Sequence, residues 1–350
     1  MAEIVVGLGT SHSPMLNVGP EHFHVMADYD RLPGKELMSP RTGRLVTYEA
    51  LLAEADPAIA TQLTPEIFDA QHAAIQRAIA TLETTLAAAK PDVAIVIGAD
   101  QEEYFFDDNM PAIAIYWGES LKIAPWTLPD DLPEAYKVSA WGYGTEVRDC
   151  AIDSALGAHL IEQLSAADFD VASIRYPQAA YGGSVGPAGY LTVKRETKPR
   201  PLGMGHAWAF VVKRIMNARV IPFVPVMINA CYPPNQPRAR RCFDLGRAIR
   251  AAVATWGENK RVAVIGSGGL SHYVVDEELD RLALDAMARN DRDAIAALPE
   301  WRLQSASAEI KPWLCAAGAL DGLNMDVVAY VPCRRTPAGT GGGWGFARWT

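Results

Sequence analysis

Imidazole is the side chain best suited to moving protons or holding a metal near neutral pH. Two of the seven histidines lie directly behind apolar runs that read as strands. His12 sits in Gly9-Thr10-Ser11-His12-Ser13-Pro14, after Glu3–Leu8. His272 ends Gly266-Ser267-Gly268-Gly269-Leu270-Ser271-His272, after Arg261–Ile265. A third run, Asp92–Ile97, leads into the acidic cluster Gly98-Ala99-Asp100-Gln101-Glu102-Glu103. In an open α/β sheet the carboxyl ends of the strands form the ligand-binding edge, so the three segments are expected at one mouth. Histidines and carboxylates gathered there suit metal binding, acid–base catalysis, or both. The small residues ahead of each histidine would let backbone approach a ligand closely.

The elements that must position these residues follow from hydrophobic periodicity. Glu3–Leu8, Asp92–Ile97, Ala112–Tyr116, Val220–Ile228 and Arg261–Ile265 are short, β-branched runs, as buried strands are. Between them, Pro65–Lys90 carries an apolar stripe of Phe68, Ile75, Ile79, Leu82 and Leu86, which is helical spacing. Ile152–Leu164, His206–Met216, Arg240–Trp256, Glu277–Ala288 and Ser307–Leu320 also read as helices. This alternation predicts an α/β fold: a mostly parallel central sheet with helices on both faces and long loop insertions. One domain over residues 1–350 is expected, with insertions at 17–60, 125–148 and 181–201. The Gly-rich tail at 336–350 reads as a lid or a subunit contact, which makes a homo-oligomer the expectation.

Composition narrows the function. With 350 residues and 49% hydrophobic content, the chain can bury a large core without a metal or disulfide staple. Its 32 Lys+Arg against 41 Asp+Glu give a net charge of −9, which argues against nucleic-acid backbones as partners. The five cysteines are widely spaced and form no Cys-x-x-Cys pair, so neither a disulfide framework nor a thiolate zinc site is expected. No apolar run approaches the roughly 20 residues of a membrane span. A reduced, cytoplasmic protein is the expectation.

Familiar catalytic motifs fail. Gly7-Leu8-Gly9-Thr10-Ser11-His12 begins like a dinucleotide fingerprint, but histidine stands where the third glycine would allow helix and strand to pack. There is no phosphate-binding P-loop and no G-x-S-x-G elbow.

Taken in order, the segments resemble the class III extradiol catechol dioxygenases, with the fold of the protocatechuate 4,5-dioxygenase β subunit. The marks are Gly9 through Pro14; Asp100 through Asn109-Met110-Pro111; and Tyr232-Pro233-Pro234 leading into Arg241-Cys242-Phe243-Asp244-Leu245-Gly246. Gly268 through His272, and Glu309 ahead of Ala317-Gly318-Ala319-Leu320, complete them. The resemblance covers Ile4 to about Leu320. It implies iron(II) held by two histidines and one glutamate, with open positions for a catechol and O2. It places one histidine ligand on His12 and the glutamate on Glu309. His272 takes the acid/base role, and His206 becomes a second active-site histidine that contacts substrate or oxygen. Asp100, Ser271 and Arg241 are the candidates for substrate binding. The expected reaction opens the ring of a substituted catechol, methoxylated or carboxylated, such as 3-O-methylgallate. Deprotonating the catechol requires a base near neutral pH, and breaking the O–O bond requires a proton donor; one histidine serves both steps.

One departure from the pattern matters. Where the family places its second histidine ligand, just after the aspartate, this chain has Gln101. The Gln101 amide oxygen, or the Glu103 carboxylate two residues on, is then the candidate second ligand; loss of the metal is the third option. The Asp100-Gln101-x-Glu103 form is similar to the 3-O-methylgallate dioxygenase-like branch. Two other functions fit the same residues: a zinc-dependent hydrolase using the His/Glu pocket, and a metal-free binding or scaffold protein. Each site residue also has a plain structural reading. His12 and His272 can cap the segments that follow them, Glu309 and His206 suit helix starts, and the basic Lys194, Arg195, Lys198 and Arg200 suit a solvated loop. His22 and His24 are the further candidates for the missing ligand.

Overall fold

The computed structural model describes residues 1–35, 37–106, 109–123, 137, 147–175 and 203–350. The expected insertion at 181–201, with its four basic residues, and most of 125–148 lie outside them.

Thirteen strands are present among the described residues. They are β1 (Glu3–Thr10), β2 (Leu37–Met38), β3 (Leu45–Val46), β4 (Val93–Ala99), β5 (Ile113–Tyr116), β6 (Ser120–Ile123) and β7 (Arg148–Ala151). Then follow β8 (Ala172–Ile174), β9 (Phe223–Ile228), β10 (Arg261–Ser267), β11 (His272–Val274), β12 (Met325–Arg334) and β13 (Thr340–Trp349). Nine of them form one sheet in the order β11-β13-β1-β10-β4-β9-β5-β8, with β12 paired to β13. The centre of the sheet, β1-β10-β4-β9, is parallel throughout. The fold class is therefore the expected one.

The buried strands explain the near-continuous apolar runs. All seven residues of β4 are buried, and they alternate between two cores. Ile95 and Ile97 face a layer built from the helices Ser154–Ala166, Ala239–Thr255, Glu277–Ala288 and Ile310–Ala319. Ala94 and Val96 face the opposite layer, where the stripe of the Pro65–Ala89 helix (Ile75, Ile79, Leu82, Leu86) packs with Trp208 and Phe210. That long helix starts on a Thr64 side-chain cap, with Pro65 at its first position.

The 17–60 insertion has structure of its own: a short helix (Phe23–Asp30), the β2–β3 hairpin and a second helix (Tyr48–Glu54). Its Leu37 and Leu51 pack on Val274 and Ala338, beside Tyr273. A buried ion pair, Asp30 with Arg335, ties it to the end of β12 at 2.6 and 2.8 Å.

The Gly-rich tail corrects the sequence expectation. Residues 340–349 are not a loose lid but β13, a largely buried strand paired antiparallel to β1, β11 and β12. Its glycines make room for neighbours. A Cβ on Gly343 would stand 2.0 Å from Oδ2 of buried Asp280. The homo-oligomer inferred from this tail loses that support.

Candidate metal centre

The carboxyl ends of β1, β4 and β10 lie side by side, and the segments that leave them carry the site. His12 follows β1 and is buried. Its Nδ1 lies 3.0 Å from the Ser267 hydroxyl at the end of β10, and that hydroxyl donates to the Ala207 carbonyl at 2.7 Å. With its one proton so committed, Ser267 accepts from His12, which puts the imidazole proton on Nδ1 and leaves Nε2 as a lone-pair donor.

Glu309 ends a 3-10 turn (Ser305–Glu309) and stands at the N-cap of the Ile310–Ala319 helix, not inside its first turn. It is 1% exposed. Its Oε2 lies 3.0 Å from His12 Nε2, yet neither atom has a hydrogen-bond partner. Buried polar atoms are seldom left so. Metal bonds of roughly 2.1 Å at right angles set neighbouring donor atoms about 3.0 Å apart. The pair therefore fits a cation. His206 completes the group: one ligand atom from each of His12, His206 and Glu309 lies within 4.8 Å of the others. The rings of His12 and His206 meet edge to face, 4.6 Å between centroids.

His206 opens the helix His206–Phe210, after a turn pinned by Tyr104, whose hydroxyl donates to Gly203 O at 3.1 Å and accepts from Gly205 N at 2.8 Å. The Glu103 carboxylate accepts from His206 N at 2.9 and 3.1 Å and lies 2.9 Å from Nδ1. Gln101 donates through Nε2 to Oε1 of Glu309. Glu103 lies outside the group of three and holds His206, and the Gln101 amide touches the group through Glu309. The third histidine, His272, points Nδ1 at the Leu270 carbonyl (2.9 Å), and its Nε2 stands 3.8 Å from Glu309 Oε2.

The site's electrostatics follow from burial and from this crowding. Burial alone would raise the Glu309 carboxyl, but the imidazoles of His12, His272 and His206 outweigh it and hold it at about 2. Burial would lower His206, yet the Glu103 carboxylate leaves it raised. His272 is lowered, chiefly by burial, so it stands neutral and able to accept a proton at neutral pH.

Other expected site residues lie elsewhere or do other work. Ser271 is buried and turned toward Asp280, with its N–H and hydroxyl donating to the carboxylate at 2.7 Å each. Asp100 caps its own turn by accepting from Tyr104 N and Phe105 N, and burial pushes it up to about 7. Arg241 is exposed on the Ala239–Thr255 helix, its guanidinium 4.9 Å over the Phe169 ring. His22 pairs with Glu21 at the surface, and His24 is exposed. The glycines before His272 serve the site's own atoms, not a ligand: a Cβ on Gly269 would fall 1.5 Å from Cε1 of His272. Ser267 and Tyr104 were not singled out in the sequence, although Ser267, at a strand end, carried a positional signal.

Residues 57–339 match the family described as the catalytic LigB subunit of aromatic ring-opening dioxygenase. The chain belongs to that family. It is similar to a gallate dioxygenase of Pseudomonas putida, 32% identical over 111 residues, 29% of this chain and 32% of that protein. It is also similar to 2,3-dihydroxyphenylpropionate/2,3-dihydroxicinnamic acid 1,2-dioxygenases. That of Mycobacterium ulcerans is 27% identical over 207 residues, 59% of this chain and 50% of the relative. That of Mycolicibacterium gilvum is 46% identical over 76 residues, 22% of each chain. The chain thus spans half or less of the length of these relatives. Among the described residues, no helix is long and apolar enough to cross a membrane.

Proposed function

We propose that the protein is an iron(II)-dependent extradiol dioxygenase that opens the ring of a substituted catechol, with O2 as co-substrate. The observation that carries this reading is the buried pair His12 Nε2 and Glu309 Oε2, 3.0 Å apart and without hydrogen bonds, with His206 beside it. Two neutral imidazoles and one carboxylate make the donor set of non-haem iron(II) oxygenases, which keep positions open for substrate and oxygen. His12, His206 and Glu309 would hold the ion. When bound, iron(II) supplies the electron transfer that lets O2 react with an organic ring.

The remaining chemistry belongs to the chain. His272, kept neutral by burial, takes a proton from the catechol hydroxyl and returns it to the departing oxygen. Its Nδ1 contact with Leu270 O holds the ring so that Nε2 faces the site. His12, His206 and Glu309 are buried, and a low-dielectric setting strengthens each of these interactions. Methoxylated or carboxylated catechols such as 3-O-methylgallate are the proposed substrates, supported by the names of the gallate and dihydroxyphenylpropionate relatives. Cytoplasmic location is proposed with it, in keeping with the buried thiols of Cys150, Cys242, Cys315 and Cys333.

The test is anaerobic loading with iron(II), then oxygen uptake with gallate, 3-O-methylgallate and 2,3-dihydroxyphenylpropionate in turn. The expected result is one O2 consumed per catechol and a yellow ring-opened product. Turnover of ester or amide analogues without oxygen would make the protein a hydrolase instead.

A further inference from the structure

We propose that the Asp100–Glu103 segment contributes no metal ligand and instead acts as a pair of clamps, Glu103 fixing His206 and Gln101 fixing Glu309. This rests on the metal centre proposed above and states how the chain completes it without a histidine at position 101.

Glu103 is fully buried, and both of its oxygens are engaged by one residue. It accepts the His206 backbone N–H, and its Oε2 lies 2.9 Å from Nδ1. A carboxylate in that place fixes the proton on Nδ1, directs Nε2 toward the metal and raises the basicity of the imidazole. The dock is shaped for it: a Cβ on Gly205 would lie 2.6 Å from Oε2 of Glu103. Gln101 does the matching work across the site. Its amide N–H on Oε1 of Glu309 stops that carboxylate from turning and leaves Oε2 facing His12. The opposite amide orientation would set a carbonyl oxygen against a carboxylate, so the nitrogen belongs there. Glu102, between the two clamps, has a left-handed backbone with φ of 56°, and the chain turns at that point. Backbone strain of that kind persists where the surroundings over-determine it.

The test measures anaerobic iron(II) and cobalt(II) affinity, and counts imidazole donors by X-ray absorption, in the whole protein and in Glu103→Gln, Gly205→Ala, His206→Ala and Gln101→Ala. Wild type is expected to show two imidazoles and His206→Ala one. Glu103→Gln should keep its circular dichroism and bind metal about 10–100-fold more weakly, with a changed cobalt(II) spectrum. Gly205→Ala, which leaves the Glu103 carboxylate chemically intact but displaced, should weaken metal in the same way. Gln101→Ala should retain two imidazoles and lose affinity more modestly. Wild-type affinity and spectrum in both Glu103→Gln and Gly205→Ala would overturn the clamp. So would two imidazoles in His206→Ala, or abolished binding in Gln101→Ala, which would make residue 101 a ligand. A wild-type protein that binds no metal would instead remove the proposed centre itself.

Discussion

Nε2 of His12 and Oε2 of Glu309 face each other across 3.0 Å in a site closed to solvent, and neither makes a hydrogen bond. One atom comes from the end of the first strand and the other from the start of a helix almost 300 residues later. Each is oriented through its remaining polar atom, His12 by Ser267 and Glu309 by Gln101. Two lone pairs so placed are held together by a cation: a proton on the imidazole, as in the ion pair that draws the Glu309 carboxyl down, or a metal ion.

His272 stands beside this pair without belonging to it. His272→Gln should lower kcat for ring opening by roughly 10²–10⁴-fold while iron content stays at the wild-type level. Oxygen uptake and iron analysis on the same preparation check this. Loss of iron would make His272 a ligand.

Gly269 leaves room for that histidine. In Gly269→Ala the new methyl group would overlap the imidazole, at 1.5 Å from Cε1 and 1.8 Å from Nδ1, so the ring must leave its place. Activity should fall nearly as far as in His272→Gln, with metal affinity unchanged and about 1–3 kcal/mol of stability lost. Unaltered kcat would show that the ring position is unimportant.

Asp280 gives folding stability a pH dependence. It accepts from Ser271 N, Ser271 Oγ and Tyr330 OH, yet burial pushes its carboxyl from 3.8 up to about 7. The folded state therefore holds this proton more tightly than the unfolded chain, and its contribution to stability falls as pH rises from about 4 to about 7. The gap between the two values corresponds to roughly 4 kcal/mol. Urea unfolding should show Asp280→Asn gaining on wild type across that range. A stability difference independent of pH would contradict the argument.

The Asp30–Arg335 pair holds the 17–60 insertion against the sheet beside Tyr273, the residue after His272. Both side chains are buried, and Arg335 also reaches Met15 Sδ at 3.2 Å. Removing one partner strands the other charge, so Asp30→Ala should cost about 3–5 kcal/mol, measured by chemical denaturation. A cost below about 1 kcal/mol would place the pair in water.

The framework was legible in the sequence because a parallel sheet buried on both faces needs continuous apolar strands, as β4 shows in Val93–Ala99. His12 and His272 could be found because the sheet's carboxyl edge gathers whatever follows its strands. β13 escaped notice because four of its ten residues are glycine, and its buried character comes from what the glycines admit, not from an apolar period. Glu103 and His206 are 103 positions apart, and nothing local to either marks their contact. Arg241 stands exposed over the Phe169 ring, and a cation beside a family-like segment does not by itself say which face of its helix meets the site.

Iron stoichiometry tests the central claim most directly. Protein purified anaerobically with iron(II) should carry one iron per chain, with His12→Ala and Glu309→Ala each folded and nearly iron-free. Iron retained at one per chain in both variants, or absent from the wild type, would contradict the account.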